Sequence, residues 1–441
     1  MAHRPADAGS QNALRRDAAL VAAGQLAAIA SAFLLTIAGA RLLPPEDFGA
    51  LSWALSWLTF LAVLAQFGLT QVATIALARG DARRHTGLLR RLLVAQAVGV
   101  AVVGALWWGG AGPLAAGSGS PPAAYRPLVM LVAAWLPVAA VGPVLVNAFR
   151  ARGSFGLSLI FGEHVRRVLL IGLIVVLAAG AGAVASLETA LWWAVALESA
   201  VYLAGILLLF GVVRSREAAE SGSSPWQLLR SGGPFTLATL ASVTVPQAGI
   251  WLLAALAPVD EVAVFSVAVR IAVLFAVPVS IGMRTLAPRI AAASASGRLP
   301  DLAEPIRRSA VWSTAVTAPA VLALAVAGPL LVPAVFGADY AAALVPALVM
   351  SAGVLVNAWT GPCSVVLSHA GRQRLVAVSA LVSSGAFFAL GVWWGSTGGA
   401  LGVAAAAAVA MSARNLHLAW AAARTLGIRT IALPARKGLP S

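Results

Sequence analysis

Apolar runs of about twenty residues or more follow one another from residue 20 to residue 424, separated only by short connectors. A helix rises 1.5 Å per residue, so about 20 apolar residues cross the roughly 30 Å hydrocarbon core of a bilayer. Backbone polar groups in hydrocarbon must be bonded internally, and a helix does this within one segment. The chain is therefore read as an all-α polytopic membrane protein. Composition agrees, with 60% hydrophobic and 10% charged residues, against about 25% charged in a soluble domain. Mean hydropathy is +0.91.

The runs give twelve spans, near 20–43, 48–78, 92–115, 127–149, 154–182, 188–213, 233–257, 262–288, 309–334, 341–369, 375–395 and 400–424. Of the 30 basic residues, 23 fall in the N-terminal tail, the even-numbered connectors and the C-terminal end. The odd-numbered connectors hold only Arg41 and Arg126. The positive-inside rule then places both termini in the cytoplasm. The pairs Trp107–Trp108, Trp192–Trp193 and Trp393–Trp394 lie at span ends this topology puts outside, where an aromatic belt is expected.

No connector is long enough for a domain of its own, so function is expected within the bilayer. The organisation read from the sequence is a cytoplasmic tail (1–19), a six-helix bundle (20–213), a cytoplasmic linker (214–232), a second six-helix bundle (233–425) and a C-terminal cytoplasmic tail (426–441). A faint repeat crosses the linker. "LPPEDFGALSWA" (43–54) aligns with "APVDEVAVFSVA" (257–268), bringing Pro44 onto Pro258, Glu46 onto Asp260 and Asp47 onto Glu261. Six spans is an even number, so the halves share orientation, as in parallel-repeat transporters.

Several functions are excluded. The net charge of +15 is spread singly and in short clusters, with no basic domain for nucleic acid. Topology and anionic lipid headgroups account for it better. The single cysteine, Cys363, rules out an internal disulfide and a zinc cluster, and is read as a packing residue. The five histidines share no ligand spacing, and no cofactor is expected. The N-terminus lacks a signal-peptide cleavage pattern and is read as a short tail.

"ARLLPPEDFGALSWALSWLTFLAVLAQFGLTQVATIALAR" (40–79) resembles the first hairpin of the polysaccharide-transporter branch of the multidrug/oligosaccharidyl-lipid/polysaccharide exporter superfamily. "VFSVAVRIAVLFAVPVSIGMRTLAPRIA" (264–291) and "VPAVFGADYAAALVPALVMSAGVLVNAW" (332–359) resemble its second half, and "FRARGSFG" and "VLSHAGRQRL" its small turns. The resemblance implies two six-helix bundles around a V-shaped central cavity. It also implies alternating access that moves a polyprenyl-pyrophosphate-linked oligosaccharide across a bacterial plasma membrane, with a cationic cavity receiving the pyrophosphate. The protein would be a transporter rather than an enzyme, a monomer, with H+ or Na+ as the coupling ion.

Ionisable groups inside spans cost several kcal/mol and mark function by default. In "IFGEHVRRVLLIGLIVVL", Glu163, Arg166 and Arg167 share one helix face, and Glu163 to Arg167 is the favoured i, i+4 ion-pair orientation. Either this face borders a wet cavity or span five starts later and both arginines snorkel. Arg270 and Arg284 in span eight fall near one face, with Pro278 between them. Arg414 in span twelve lies ten residues before Arg424. Guanidinium binds phosphate bidentately, which makes these arginines candidate pyrophosphate ligands. Glu198, the other deep acid, is a candidate counter-ion or proton-coupling site with Glu163. Trp53 and Trp57 are candidates for stacking on sugars, set against belt or packing roles. Gln66 and Gln247 are cavity candidates, set against interhelical bonding. Pro143, Pro246, Pro278, Pro319 and Pro362 are expected kinks.

Two rivals remain. A cation-coupled multidrug or small-molecule antiporter would be expected to rely on buried carboxylates, whereas this interior is richer in arginine. A membrane glycosyltransferase or polysaccharide polymerase would need a long outer loop bearing catalytic acids.

Overall fold

The computed structural model describes residues 24, 27–70, 72–73, 85–116, 122–151, 154–162, 164–180, 186–211 and 225–432. Among them there is no strand, and helix is found in each of the twelve expected spans. Seven helices are long and apolar enough to cross a bilayer, or eight with the bent pair Val259–Phe275 and Val277–Ala295 taken as one. Ala27–Leu42 and Gln247–Leu256 are shorter apolar stretches.

The longest run, Gln373–Leu426, has 54 residues, about 81 Å at helical rise and more than twice the hydrocarbon thickness. It is two helices joined at Gly399, whose φ of 53° and ψ of −134° are non-helical. The Ser383 hydroxyl donates to the Ala410 carbonyl at 2.9 Å. Residues 27 apart in sequence meet, so the run is a helical hairpin and supplies spans eleven and twelve.

Other spans are interrupted. Span two breaks at Phe67, the one non-glycine described residue with positive φ (44°). Span eight bends by 46° across Ala276, and Pro278, which lacks an N–H, falls where the new helix needs none. Span ten breaks at Gly361–Pro362. Pro143 and Pro319 instead sit within continuous helices Pro122–Ala151 and Ala303–Phe336, and Pro246 within Pro225–Leu256.

The chain separates into two compact units. One is drawn from Met1–Asp47, Ala54–Gly117 and Pro121–Leu240, the other from Phe48–Trp53, Ser118–Ser120 and Ala241–Ser441. A core of the first includes Leu92, Leu145, Phe149, Phe161 and Tyr202. Phe149 and Phe161 stack at 5.3 Å. In the second, Cys363 packs with Leu367, Leu418 and Ala422, the packing role expected of it. Residues 427–432, at the start of the expected C-terminal tail, fold back. Ile428 joins a core with Leu286, Ile290 and Val366, and Ala432 N–H donates to the Trp359 carbonyl at 2.9 Å.

The repeat has a structural counterpart. Pro44 (φ −55°, ψ 148°) precedes the helix Pro45–Gln66, and Pro258 (φ −59°, ψ 158°) precedes Val259–Phe275. Both helices carry two acids in the first turn, where the helix dipole favours negative charge. Two more helix starts, at Leu187 and just after Gly399, are capped in different ways. In the second half, Ala400 N–H donates to Glu261 Oε2 at 2.9 Å. In the first, Thr189 N–H donates to Ser186 Oγ at 3.2 Å. Glu261 thus supplies across 139 residues the cap that Ser186 supplies locally, because Gly399 has no side chain to give. A Cβ there would lie 2.8 Å from Glu261 Oε2. Glu261→Ala is expected to lower stability by about 1 kcal/mol, as loss of a helix cap does, read by thermal unfolding in detergent. An unchanged midpoint would show that Ala400 gains nothing from the carboxylate.

The three Trp pairs divide. Trp108 is 61% exposed and Trp107 only 3%. Trp107 donates its indole N–H to the Val129 carbonyl at 3.0 Å. Belt placement fits Trp108, Trp192, Trp193 and Trp393, all exposed, while Trp107 is a core residue. Hydropathy alone does not distinguish the two sides of a helix end.

Candidate functional site

Among the described residues of the first unit, buried polar groups meet on spans four, five and six. Glu198, in Leu187–Gly211, is fully buried. Arg166 Nε, at the start of His164–Ala178, lies 3.1 Å from both Glu198 carboxylate oxygens. The Trp135 indole N–H, from Pro122–Ala151, donates to Glu198 Oε2. The guanidinium also stands over the Trp135 ring, 5.7 Å from its centroid, adding a cation–π attraction. One carboxylate therefore ties three spans together.

The neighbouring arginine goes elsewhere. Arg167 Nη1 donates to the Ala28 carbonyl at 2.7 Å, which brings in span one. The sequence expectation gave Glu163 the balancing role, but Glu163 lies outside the described residues. Glu198, the other acid read as a candidate counter-ion, pairs with Arg166, 32 positions away. Arg166 and Glu198 form an ion pair, and Arg167 reaches the span-one backbone.

In the second unit, Arg270 is half-buried on Val259–Phe275 and Arg284 exposed on Val277–Ala295. Their common face was inferred for a straight helix. The 46° bend across Ala276 between them removes that argument. Arg414 lies on span twelve, and its Nε is buried without an acceptor among the described residues.

The aromatic candidates turn inward. Trp53 is 6% exposed, which leaves little face for a sugar. Trp57 packs against Trp107 at 5.0 Å and Phe60 at 6.1 Å. Gln66 accepts a hydrogen bond from the Thr70 hydroxyl at 2.8 Å, and Gln247 is half-buried in Pro225–Leu256.

Gln66 borders a feature that the sequence reading missed. The break at Phe67 frees the carbonyls that end the helix Pro45–Gln66. Buried Gln96 donates its Nε2 to the Ala65 carbonyl at 3.1 Å. Asn147 reaches the Thr70 carbonyl at 3.4 Å. Gly99 and Gly232 abut the Ala65 and Phe67 carbonyls so closely that a Cβ on either would clash. A broken span with its backbone satisfied by neighbours is the arrangement transporters use at moving or binding segments. The signal for it was faint: "AQFGLTQ" offers one Phe–Gly step, and Gln96 is a lone polar residue in span three.

Among the described residues no group of three His, Cys, Asp or Glu could hold a metal ion. Helical spans, a buried ion pair and spans broken within the helix run together define a polytopic α-helical membrane protein. The chain belongs to the polysaccharide biosynthesis protein family, whose family model matches residues 14–294. Its fold is shared with solved transporters at low identity. The lipid II flippase MurJ, in an inward closed conformation, aligns with a TM-score of 0.68 and 13% identity over 90% of this chain and 87% of that one. An inward-facing multidrug resistance MATE family transporter of the MOP superfamily aligns with a TM-score of 0.67 and 14% identity, over 92% and 96%. A mutant form of the Vibrio cholerae MATE transporter VcmN gives 0.62 and 15%, over 94% and 96%. No curated protein matches the chain.

Proposed function

We propose that the chain is a flippase or exporter that moves a polyprenyl-pyrophosphate-linked oligosaccharide across the bacterial plasma membrane by alternating access, for cell-surface polysaccharide synthesis. The observation that carries this reading is membership of the polysaccharide biosynthesis family. The fold shared with a lipid II flippase supports it. Arg167, Arg270, Arg284 and Arg414 are the arginines proposed to serve the pyrophosphate. Arg166 acts through its ion pair, and Glu198, with Glu163, is the proposed proton-coupling group. The protein works as a monomer without a cofactor and performs no bond-making chemistry.

The direct test is reconstitution in vesicles with a fluorescent polyprenyl-pyrophosphate oligosaccharide loaded in one leaflet. Appearance of the glycan in the other leaflet, at rates above protein-free vesicles, is the expected result. Transport of cationic dyes with no movement of the glycan would favour the second reading, a cation-coupled antiporter. That reading is favoured by the likeness to MATE transporters and the buried carboxylate of Glu198.

The proposed orientation puts both termini in the cytoplasm. Reporters fused after Arg152 and Arg374 are expected to read inside, and those near Ser118 and Asp339 outside. An outside signal after Arg152 would break the twelve-span topology.

A further inference from the structure

The two arms of the hairpin Gln373–Leu426 leave between them a cavity of about 420 Å³. One wall is a stripe at four-residue intervals: Val378, Val382, Ala386 and Leu390. This stripe is about 18 Å long at helical rise. The facing wall is Val409, Ala410 and Ala413. Val382 is 66% exposed and Val409 46%, so the space opens sideways as a groove rather than closing as a core void.

Ser379 and Ser383 also line the groove, the Ser383 hydroxyl taken up by the Ala410 carbonyl, while its basic groups are confined to one end. The contact between Ser383 and Ala410 fixes an antiparallel register, which sets Arg414 level with Ser379, about one turn toward the end near Gln373. Arg414 and His417 line the groove there, and among the described residues the buried Arg414 Nε has no acceptor. Farther along span twelve, His417 lies against Trp420 at 5.9 Å, and the Arg424 guanidinium stands over the same ring at 5.7 Å. Arg414, His417 and Arg424 fall within an arc of about 80°. A track of basic and aromatic groups therefore runs from the arginine-rich helix end to the mouth of an apolar groove.

A small hydrated anion would lose water against bare Val, Leu and Ala walls, and an uncharged lipid would leave the buried guanidinium donor unpaired. The fitting occupant carries both an apolar chain and a phosphate. The groove, about 420 Å³ spread along about 18 Å, has a cross-section of about 23 Å², room for one extended chain. We infer that it holds the isoprenoid chain of a polyprenyl phosphate, with the phosphate on Arg414. The choice of an isoprenoid rests on the proposed flippase function. His417, Trp420 and Arg424 guide the headgroup in from the cytoplasmic surface.

The test uses the full chain in vesicles of zwitterionic lipid, with a polyprenyl monophosphate bearing a diazirine in its chain, followed by peptide mapping. Saturable labelling is expected within 378–390 and 409–413. Arg414→Gln should reduce it about tenfold, the scale of one charge-assisted bond, with Arg414→Lys intermediate. Val382→Trp, on an exposed position, should block the groove while leaving Arg414 intact, which covers the case in which Arg414→Gln misfolds. Unphosphorylated polyprenol should label about as weakly as the Gln variant. Labelling elsewhere in the chain, or labelling insensitive to both variants, would overturn the groove and leave the flippase reading standing. Equal displacement by phosphatidylglycerol would also overturn it, reducing the groove to a general acidic-lipid site. No saturable labelling at any position would remove the flippase reading as well.

Discussion

Glu198→Gln is expected to destabilise the first unit by about 3 kcal/mol. Breaking a buried ion pair by removing one partner costs roughly 3–5 kcal/mol, because the other charge is left uncompensated. The low end applies because the Arg166 side chain keeps 17% of its exposure while Glu198 keeps none. Glutamine retains an oxygen for the Trp135 indole, so the loss reports the charge rather than the hydrogen bond. The double variant Arg166→Gln/Glu198→Gln should recover most of the stability, since neither buried charge remains. Thermal unfolding of the four species in detergent closes the cycle. A single variant as stable as the parent would mean that water or lipid headgroups already compensate Arg166. A double variant no better than the single would place the energy in packing around Trp135. The same proteins bear on coupling: if Glu198 carries the transported proton, Glu198→Gln should transport at a rate independent of pH.

Arg270→Ala is expected to abolish transport of the lipid-linked glycan, by at least about a hundredfold, with expression and unfolding unchanged. The magnitude follows from losing two charge-assisted bonds to phosphate, at about 1.5 kcal/mol each. Arg270 stands eleven residues after the helix start at Val259, about 16 Å into the span, too deep to reach headgroups easily. It is also five residues before the last helical residue, Phe275, and the bend across Ala276. Arg270→Lys should rescue only part of the rate, because an ammonium is a point charge without the planar fork. Normal transport by the Ala variant would make Arg270 a structural residue, and full rescue by Lys would show that charge alone is read.

The all-helical, multi-span class was legible in the order of residues alone, because hydropathy and run length belong to consecutive residues and a bilayer admits few answers to them. The internal repeat at Pro44 and Pro258 was legible too. Their backbone angles turn out alike, since a proline before a first-turn acid pair dictates the same helix start wherever it occurs. Local spacing could equally place Glu163 beside Arg167 on one turn. Choosing partners lay beyond it. Glu198 was readable as a deep acid, but its bond to Arg166 spans 32 residues. The cap from Glu261 to Ala400 spans 139, and both depend on which helices pack together. The break at Phe67 was hidden for the same reason: an apolar run reads as continuous helix until Gln96 meets the Ala65 carbonyl and two glycines let neighbouring segments close on the break. Trp107 and Trp108 look alike in sequence, and packing alone buried one and left the other exposed. Arg414 was visible as a charge ten residues before Arg424, yet its role required the second arm of the hairpin. An apolar stripe on one helix becomes a groove only when another helix stands opposite it.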